Sequence, residues 1–467
     1  MRLAWFSPMP PVRTGIAAVS AELVEPLRNE HDIDVYTDDS RRAPDRAERG
    51  AHEFVWQHRQ RPYDLIVYQI GNSSHHDYIW PYLFRYPGLT VLHDAHLHHA
   101  RAAALLRTRR AHDYRVEFAA NHPDADPSLA ELAVEGFDNH LYYSWPMTRL
   151  IIDASRLTAV HMPVLAAALR TQHPSARIEA IRLAHGEPIA PERARAARSR
   201  IRNAHGINAD AIVFGVFGGL TPEKRIPQIL DALAAVLPYA PSAHLLLAGA
   251  AAQHFDASDA VRARGLGARV TTTGYLPDDR ELLDHMAACD VSINLRWPTA
   301  REMSGPWLRA LAAGLPTITT DLAHLADVPS LDPRTWAVRP GSEIRDPGSV
   351  AEDMEIRRRS DPASRIPHPA TIAVDILDED HSLRLAMRRL ATDAQLRSSL
   401  GASARSYWDR EHSLPRMLED YRRVISEAAA ASAPKPSLPA HLINGGNATL
   451  RRLLAPFGIE SDNVFLG

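Results

Sequence analysis

The sequence predicts an α/β protein made of two doubly wound halves, and three observations carry that expectation. Short β-rich runs alternate with helical spacings from the first residues onward, and the alternation restarts after a basic, alanine-rich helix near residue 190. The length of 467 residues also exceeds what one hydrophobic core organises. With 45% hydrophobic and 23% charged residues the chain is globular, and a formal net charge of -3 supplies no global attraction for nucleic acid. One cysteine, Cys289, excludes an intramolecular disulfide and a thiolate zinc cluster, which fits a reducing, cytoplasmic compartment. The opening MRLAWFSPMPPVRTG lacks the apolar centre of a signal peptide, and no later apolar run reaches the ~18 residues that span a bilayer. A soluble or peripheral protein is therefore expected.

The first half reads Leu3-Ala4-Trp5-Phe6, a helix from about Ile16 to Leu27, then Ile33-Asp34-Val35-Tyr36, the rhythm of a parallel βαβ unit. Leu65-Ile66-Val67-Tyr68 and Thr90-Val91-Leu92-His93 continue the sheet, and Leu157 to His161 and Ile178 to Leu183 complete it. Arg101 to Met147 is expected to be largely helical. A helix at about Pro191 to Ala204 precedes a fresh strand, Ile212 to Phe217, so a first domain over 1–190 is expected. The second series contains a helix from about Ile226 to Leu237 and strands at His244 to Ala248, Val270 to Thr272, Val291 to Leu295 and Pro316 to Thr320. It forms a second domain over 191–400, interrupted by an irregular insertion, rich in Pro, Arg, Asp and Ser, at about 330–369. His381 to Leu400 and Ala402 to Ala430 read as helices, those of 401–430 closing the fold, and 431–467 as a proline-bearing linker and tail.

Open parallel sheets bind ligands at the carboxyl ends of their strands, so the loops there decide the chemistry. Asp290 to Asp321 reads strand, polar loop, helix, turn, strand; the loop holds two arginines and Glu302, Ser304 is a candidate N-cap, and Gly305-Pro306 opens the helix. Unpaired N–H groups and the positive end of the helix dipole favour an anion there, by ~0.3–1 kcal/mol per charge interaction. Glu302 suits sugar hydroxyls better than phosphate, and the combination points to a sugar carried on a phosphate. Gly218-Gly219-Leu220-Thr221-Pro222-Glu223-Lys224-Arg225 follows the 212–217 strand. Its glycines let a ligand approach the backbone, and Lys224 and Arg225 oppose the dipole of the next helix unless they serve an anion. Singly each loop is equally a solvated turn; on one sheet edge the two together favour a site. In the first half, Ser7 to Gly15 brings Arg13 and Gly15 to the first helix, Tyr68 to His76 brings Asn72 and His75, and Val91 to His99 brings His93 and Asp94 to the end of a buried strand. Four histidines between 93 and 99 invite a metal, but no HExxH or comparable spacing is present, so no metal site is assigned. His98 and His99 equally suit capping and packing.

Taken together, these loops resemble the retaining nucleotide-sugar glycosyltransferases of family 4, over about residues 1–425. Phe217-Gly218-Gly219-Leu220-Thr221-Pro222-Glu223-Lys224 resembles that family's donor-phosphate loop, Gly274-Tyr275-Leu276-Pro277 its loop near the nucleotide base, and Glu302 to Gly314 its Glu-containing donor motif. SPMPPVRTGIAAVSAEL with YQIGNSSHHDYIWPYLFRYPGLTVLHDAHLHH resembles a bacterial subgroup associated with surface-polysaccharide and O-antigen assembly. The resemblance implies the GT-B fold, two Rossmann-like domains facing across a cleft, and hexosyl transfer from a nucleoside diphosphate to a glycan or lipid-linked acceptor. It implies donor contacts from Gly15, Gly218, Gly219, Lys224, Arg225, Tyr275, Ser304, Gly305 and Arg309. Glu302, His93 and Asp94 would lie at the reaction centre, and Arg13, Asn72, His75 and His98 would meet the acceptor. No metal, other cofactor or nucleic acid is implied, and attachment to the inner face of a membrane stays open. Two positions depart from the family. Gly219 stands where an Arg usually precedes the Lys, and Arg309 stands where a Glu usually binds ribose. Those departures motivate a rival, a catalytically weakened GT-B protein that binds a nucleotide sugar or glycan as a partner subunit, and a sugar phosphorylase on the same fold is the alternative enzyme.

Overall fold

The structure is a computed structural model that describes residues 1–38, 48–137, 140–252, 255–276, 278–341, 368–443 and 453–458. Pro277, most of the predicted insertion and about half of the tail lie outside the described residues. The chain divides into two compact units: Met1–Val160 with Ala168–Glu179 and Arg422–Gly467, and His161–Ala167 with Ala180–Tyr421. Segment 180–190, read from sequence as the end of the first domain, thus packs in the second unit, and residues from 422 onward return to the first. Apolar spacing along a helix such as Leu414–Ala430 states that a face is buried, not which core buries it.

The first unit holds β1 (Arg2–Phe6), β2 (Asp32–Thr37), β3 (Arg49–Gly50), β4 (Leu65–Ile70), β5 (Leu89–Leu92), β6 (Leu157–Val160) and β7 (Ile178–Ala180), in the order β3-β2-β1-β4-β5-β6-β7. The pairings from β3 through β6 are parallel, with Leu3 opposite Ile33 on one side and Leu65 on the other. Every residue of β1, β4 and β5 is buried, as expected of a parallel sheet covered on both faces. Between β5 and β6 the predicted helical stretch resolves into helices His98–Leu106, Ala111–Asn121, Ser128–Val134 and Leu141–Ser144, which share a separate core of Leu105, Tyr114, Phe118, Leu141 and Met147.

The second unit holds β8 (Val213–Phe217), β9 (His244–Ala248), β10 (Val270–Thr272), β11 (Val291–Asn294), β12 (Thr317–Thr320), β13 (Ser330–Leu331), β14 (Val338–Arg339) and β15 (Thr371–Val374), in the order β10-β9-β8-β11-β12-β15-β13-β14. All pair in parallel except β13 with β14. Period-two alternation sorts the sheet onto two cores: Phe214, Val216, Leu245 and Leu247 join one, Val213, Phe217, Leu246 and Ala248 the other. The start of the predicted irregular stretch is ordered, because β13 and β14 are two-residue strands, too short for periodicity to reveal. Among the described residues no helix is long and apolar enough to cross a membrane, and no group of three His, Cys, Asp or Glu side chains is placed to hold a metal ion.

Candidate active site

At the carboxyl end of β8, Gly218 takes φ +81°, a left-handed conformation that glycine adopts without strain. A Cβ placed on Gly218 would meet Pro306 Cγ at 3.1 Å and Lys224 Nζ at 3.2 Å. Three segments therefore converge on one point: the turn after β8, the 3-10 turn Pro222–Lys224, and the N-terminus of helix Gly305–Ala312. Lys224 Nζ donates to the Phe217 carbonyl. Burial, and secondarily the guanidinium of Arg296, lowers the Lys224 ammonium to about 7.

The loop after β11 is pinned on both flanks. Arg296 N–H donates to Thr320 Oγ1 at 2.9 Å, and Trp297 N–H donates to the Glu223 carbonyl at 2.8 Å. Within the loop, Arg296 Nε lies 2.8 Å from one Glu302 oxygen, and Thr299 Oγ1 donates to the other at 2.9 Å. Ser304 caps the following helix, its Oγ accepting from Trp307 N–H at 3.4 Å. Two cations, a helix N-terminus and one fixed carboxylate thus share a small region, which suits a phosphate bearing a hydroxylated group.

In the first unit, Thr14 caps helix Gly15–Leu27 by accepting from Ala17 N–H at 3.1 Å, and a Cβ on Gly15 would meet nothing within 4 Å. Arg13 beside it is exposed. His93 is buried at the end of β5, its Nε2 2.7 Å from Gln69 Oε1. Asp94 accepts from Asn72 N–H at 2.7 Å, and a Cβ on Gly71 would come within 3.2 Å of the same carboxylate, so the loops after β4 and β5 are locked together. Partly exposed His75 follows on the first of these loops.

Residues 211–354 match the family model described as Glycosyl transferases group 1. The chain has the GT-B fold, and its second unit carries the glycosyltransferase-family segment. Among solved structures, Anabaena HepE in complex with UDP and glucose is similar at 14% identity and TM-score 0.55, covering 91% of this chain and 99% of that one. WaaG, a glycosyltransferase involved in lipopolysaccharide biosynthesis, is similar at 14% identity and TM-score 0.52, covering 92% and 100%. A glycosyltransferase from Rickettsia africae is similar at 10% identity and TM-score 0.57, covering 92% and 99%. At these identities the likeness extends to the fold. No curated protein matches the sequence.

In the second unit Gly218, Lys224, Glu302, Ser304 and Gly305 gather on one edge of the sheet, and Gly219 has open space around it. Exposed Tyr275 lies in the loop after β10. Four residues expected at a ligand have polar atoms engaged inside the fold. Arg225, in a left-handed conformation at φ 59°, makes bonds of 2.5 to 3.0 Å to the Glu379 carboxylate, so it does not replace the cation missing at Gly219. Arg309 is buried and bonds His185 and Asp279, each at 2.9 Å. His98 is fully buried, with Nδ1 2.7 Å from the Trp145 carbonyl and Nε2 2.8 Å from the Tyr114 hydroxyl. Both of its ring nitrogens are used, so the acceptor role expected of His98 has no atom to perform it. Asn72 is likewise tied, its Oδ1 accepting from Ala100 N–H at 2.9 Å.

His98→Ala is expected to cost ~2–4 kcal/mol, from the cavity and two abandoned polar groups, while leaving nucleotide binding intact. Urea denaturation beside a binding titration checks this. Sequence reading missed Arg296 as the second cation and Gln69 as the partner of His93. Arg296 stood in a loop already singled out, but nothing linear distinguished it from Arg301; Gln69 was masked by its position inside a strand.

Proposed function

We propose that this enzyme is a retaining, metal-independent transferase that moves a hexosyl unit from a nucleoside-diphosphate sugar to a glycan or lipid-linked acceptor in cell-surface polysaccharide synthesis. The observation that carries the reading is the convergence of Gly218, Lys224, the Arg296–Glu302 pair and the N-terminus of helix Gly305–Ala312. HepE, similar in fold, is described in complex with UDP and glucose, and WaaG acts in lipopolysaccharide biosynthesis, which supports the donor class and the setting. The bond from the sugar's anomeric carbon to the phosphate oxygen breaks as the acceptor oxygen attacks the same face, and the acceptor's proton passes to the departing diphosphate. Lys224, Arg296 and the helix amides stabilise that developing negative charge, which is where an enzyme gains most rate. Glu302, held from two sides, accepts hydrogen bonds from donor-sugar hydroxyls. The protein works at the cytoplasmic side, free or peripheral to the membrane.

The test is transfer and donor hydrolysis over a panel of UDP-, GDP-, dTDP- and ADP-sugars. Glu302→Gln is expected to lower kcat/KM by ~10–100-fold, mostly for sugar-bearing donors rather than the bare nucleotide. His93→Ala is expected to lower kcat while sparing nucleotide affinity. Wild-type turnover in Glu302→Gln would remove the proposed sugar site. One observation favours a second reading: Gly219 supplies no cation and Arg225 is held by Glu379. A protein that binds a nucleotide sugar tightly yet neither transfers nor hydrolyses it would be a binding subunit instead.

A further inference from the structure

Four residues past Gly305, just over one helical turn or ~6 Å along the axis, the Arg309 side chain points into the second unit rather than toward solvent. Its Nε donates to His185 Nε2 and its Nη2 to Asp279 Oδ2, each at 2.9 Å. Because His185 Nε2 accepts, the ring is neutral with its proton on Nδ1. Burial and the neighbouring guanidinium lower its pKa to about 3. A buried guanidinium facing a neutral imidazole needs one counter-charge, and Asp279 supplies it.

Asp279 is the first residue of helix Asp279–Ala288, and its side chain is 67% exposed. Oδ2 is held by Arg309, while Oδ1 has no partner among the described residues. Exposed Tyr275 lies four positions earlier, in the loop after β10, on the same sheet edge as Gly218 and Lys224. A chain of contacts links the two places. Pro306 stands against Gly218, a Cβ on adjacent Gly305 would lie 3.1 Å from His185, and His185 bonds Arg309, which holds Asp279.

We infer that Asp279 reads the ribose of the donor nucleotide, its outward oxygen accepting hydrogen bonds from the 2′- and 3′-hydroxyls, with Arg309 as the positioning residue that fixes the carboxylate. The inference rests on the nucleoside-diphosphate reading of the Lys224 site and deepens it. A carboxylate is acceptor-only and takes both hydroxyls of a cis-diol, the use that nucleotide-binding Rossmann domains make of an acidic residue. Arg309 itself carries only donors and is buried, so it serves through the carboxylate it holds.

Binding of UDP, GDP and ADP, each with its 2′-deoxy and 3′-deoxy counterpart, is measured by calorimetry on the full chain. The wild type is expected to bind its preferred ribonucleotide ~10–100-fold more tightly than the deoxy forms, since a hydroxyl bonded to a charged group is worth that much. Asp279→Asn and Asp279→Ala, both at an exposed position, are expected to shrink that ratio to within about threefold, the ribonucleotide losing more affinity than either deoxy form. Arg309→Gln is expected to reduce the ratio partially. A ratio unchanged in both Asp279 variants overturns the inference and leaves the donor site standing. A wild type that binds none of the nucleotides removes the donor site, and this inference with it.

Discussion

Lys224→Ala lowers transfer and donor hydrolysis by ~10²–10³-fold, the effect of removing one preorganised donor from a developing negative charge. The size follows from where the ammonium sits: beside Gly218 and Pro306, close to Arg296, and bonded to the Phe217 carbonyl. Burial holds it at about 7, so above neutral pH the free enzyme carries it mostly uncharged. A diphosphate restores the charge, so binding takes up a proton, and affinity weakens with rising pH above about 7, by a factor approaching ten per unit. Without ligand the sign is opposite. Unfolded lysine titrates near ~10.4, so between about 7 and ~10.4 the unfolded chain binds the extra proton, and this residue makes the fold more stable as pH rises. Calorimetry of UDP or GDP binding at pH 8 in two buffers of different ionisation enthalpy reads the proton uptake directly. In Lys224→Ala that uptake should vanish; if it persists, another group carries it.

Arg101→Ala destabilises the first unit by ~3–5 kcal/mol, because it strands a carboxylate with no exposure to water. Glu117, fully buried on helix Ala111–Asn121, accepts two bonds from Arg101 of helix His98–Leu106, and His441 Nε2 lies 2.7 Å from the same carboxylate. Arg101 also lies over the Trp80 ring, 4.6 Å from its centroid, so its loss removes packing as well. Burial pushes the Glu117 carboxyl up, but its bonds to Arg101 and His441 outweigh that and hold it below the usual carboxylate range. A depressed folded pKa contributes stability that is complete above the unfolded value near ~4.3 and is lost as pH falls through the folded one. Urea midpoints from pH 3 to 7 should therefore fall steeply at the acid end for the wild type and more gently for Glu117→Gln. Replacing both partners by apolar residues should cost far less than Arg101→Ala alone, which separates the penalty of a stranded charge from the worth of the pair.

The backbone framework was readable because its signals are local. Short β-rich apolar runs located β1, β8 and β9 to within a residue, and helix Pro191–Ala204 began at its proline as expected. Gly218 was legible for the same reason, since a glycine at a strand end marks a close approach or a positive φ whatever surrounds it. Charged side chains were not. Arg225 and Lys224 are adjacent and looked equivalent, yet one lies against Gly218 and the other pairs with Glu379, 154 residues further on. His98 looked like a ligand to an acceptor, and its partners, Trp145 and Tyr114, come from elements that periodicity could only call helical.

By itself the sequence determined the α/β class, the two sheets and the loops at their carboxyl ends, because hydrophobic period, glycine conformation and helix caps act over a few residues. The tertiary structure alone decided which cations face the anion site and which are neutralised: Lys224 with Arg296 on one hand, Arg225 and Arg309 on the other. The physical reason is that a charge is set by what stands within a few ångströms of it, and chain folding, not chain order, brings those neighbours together.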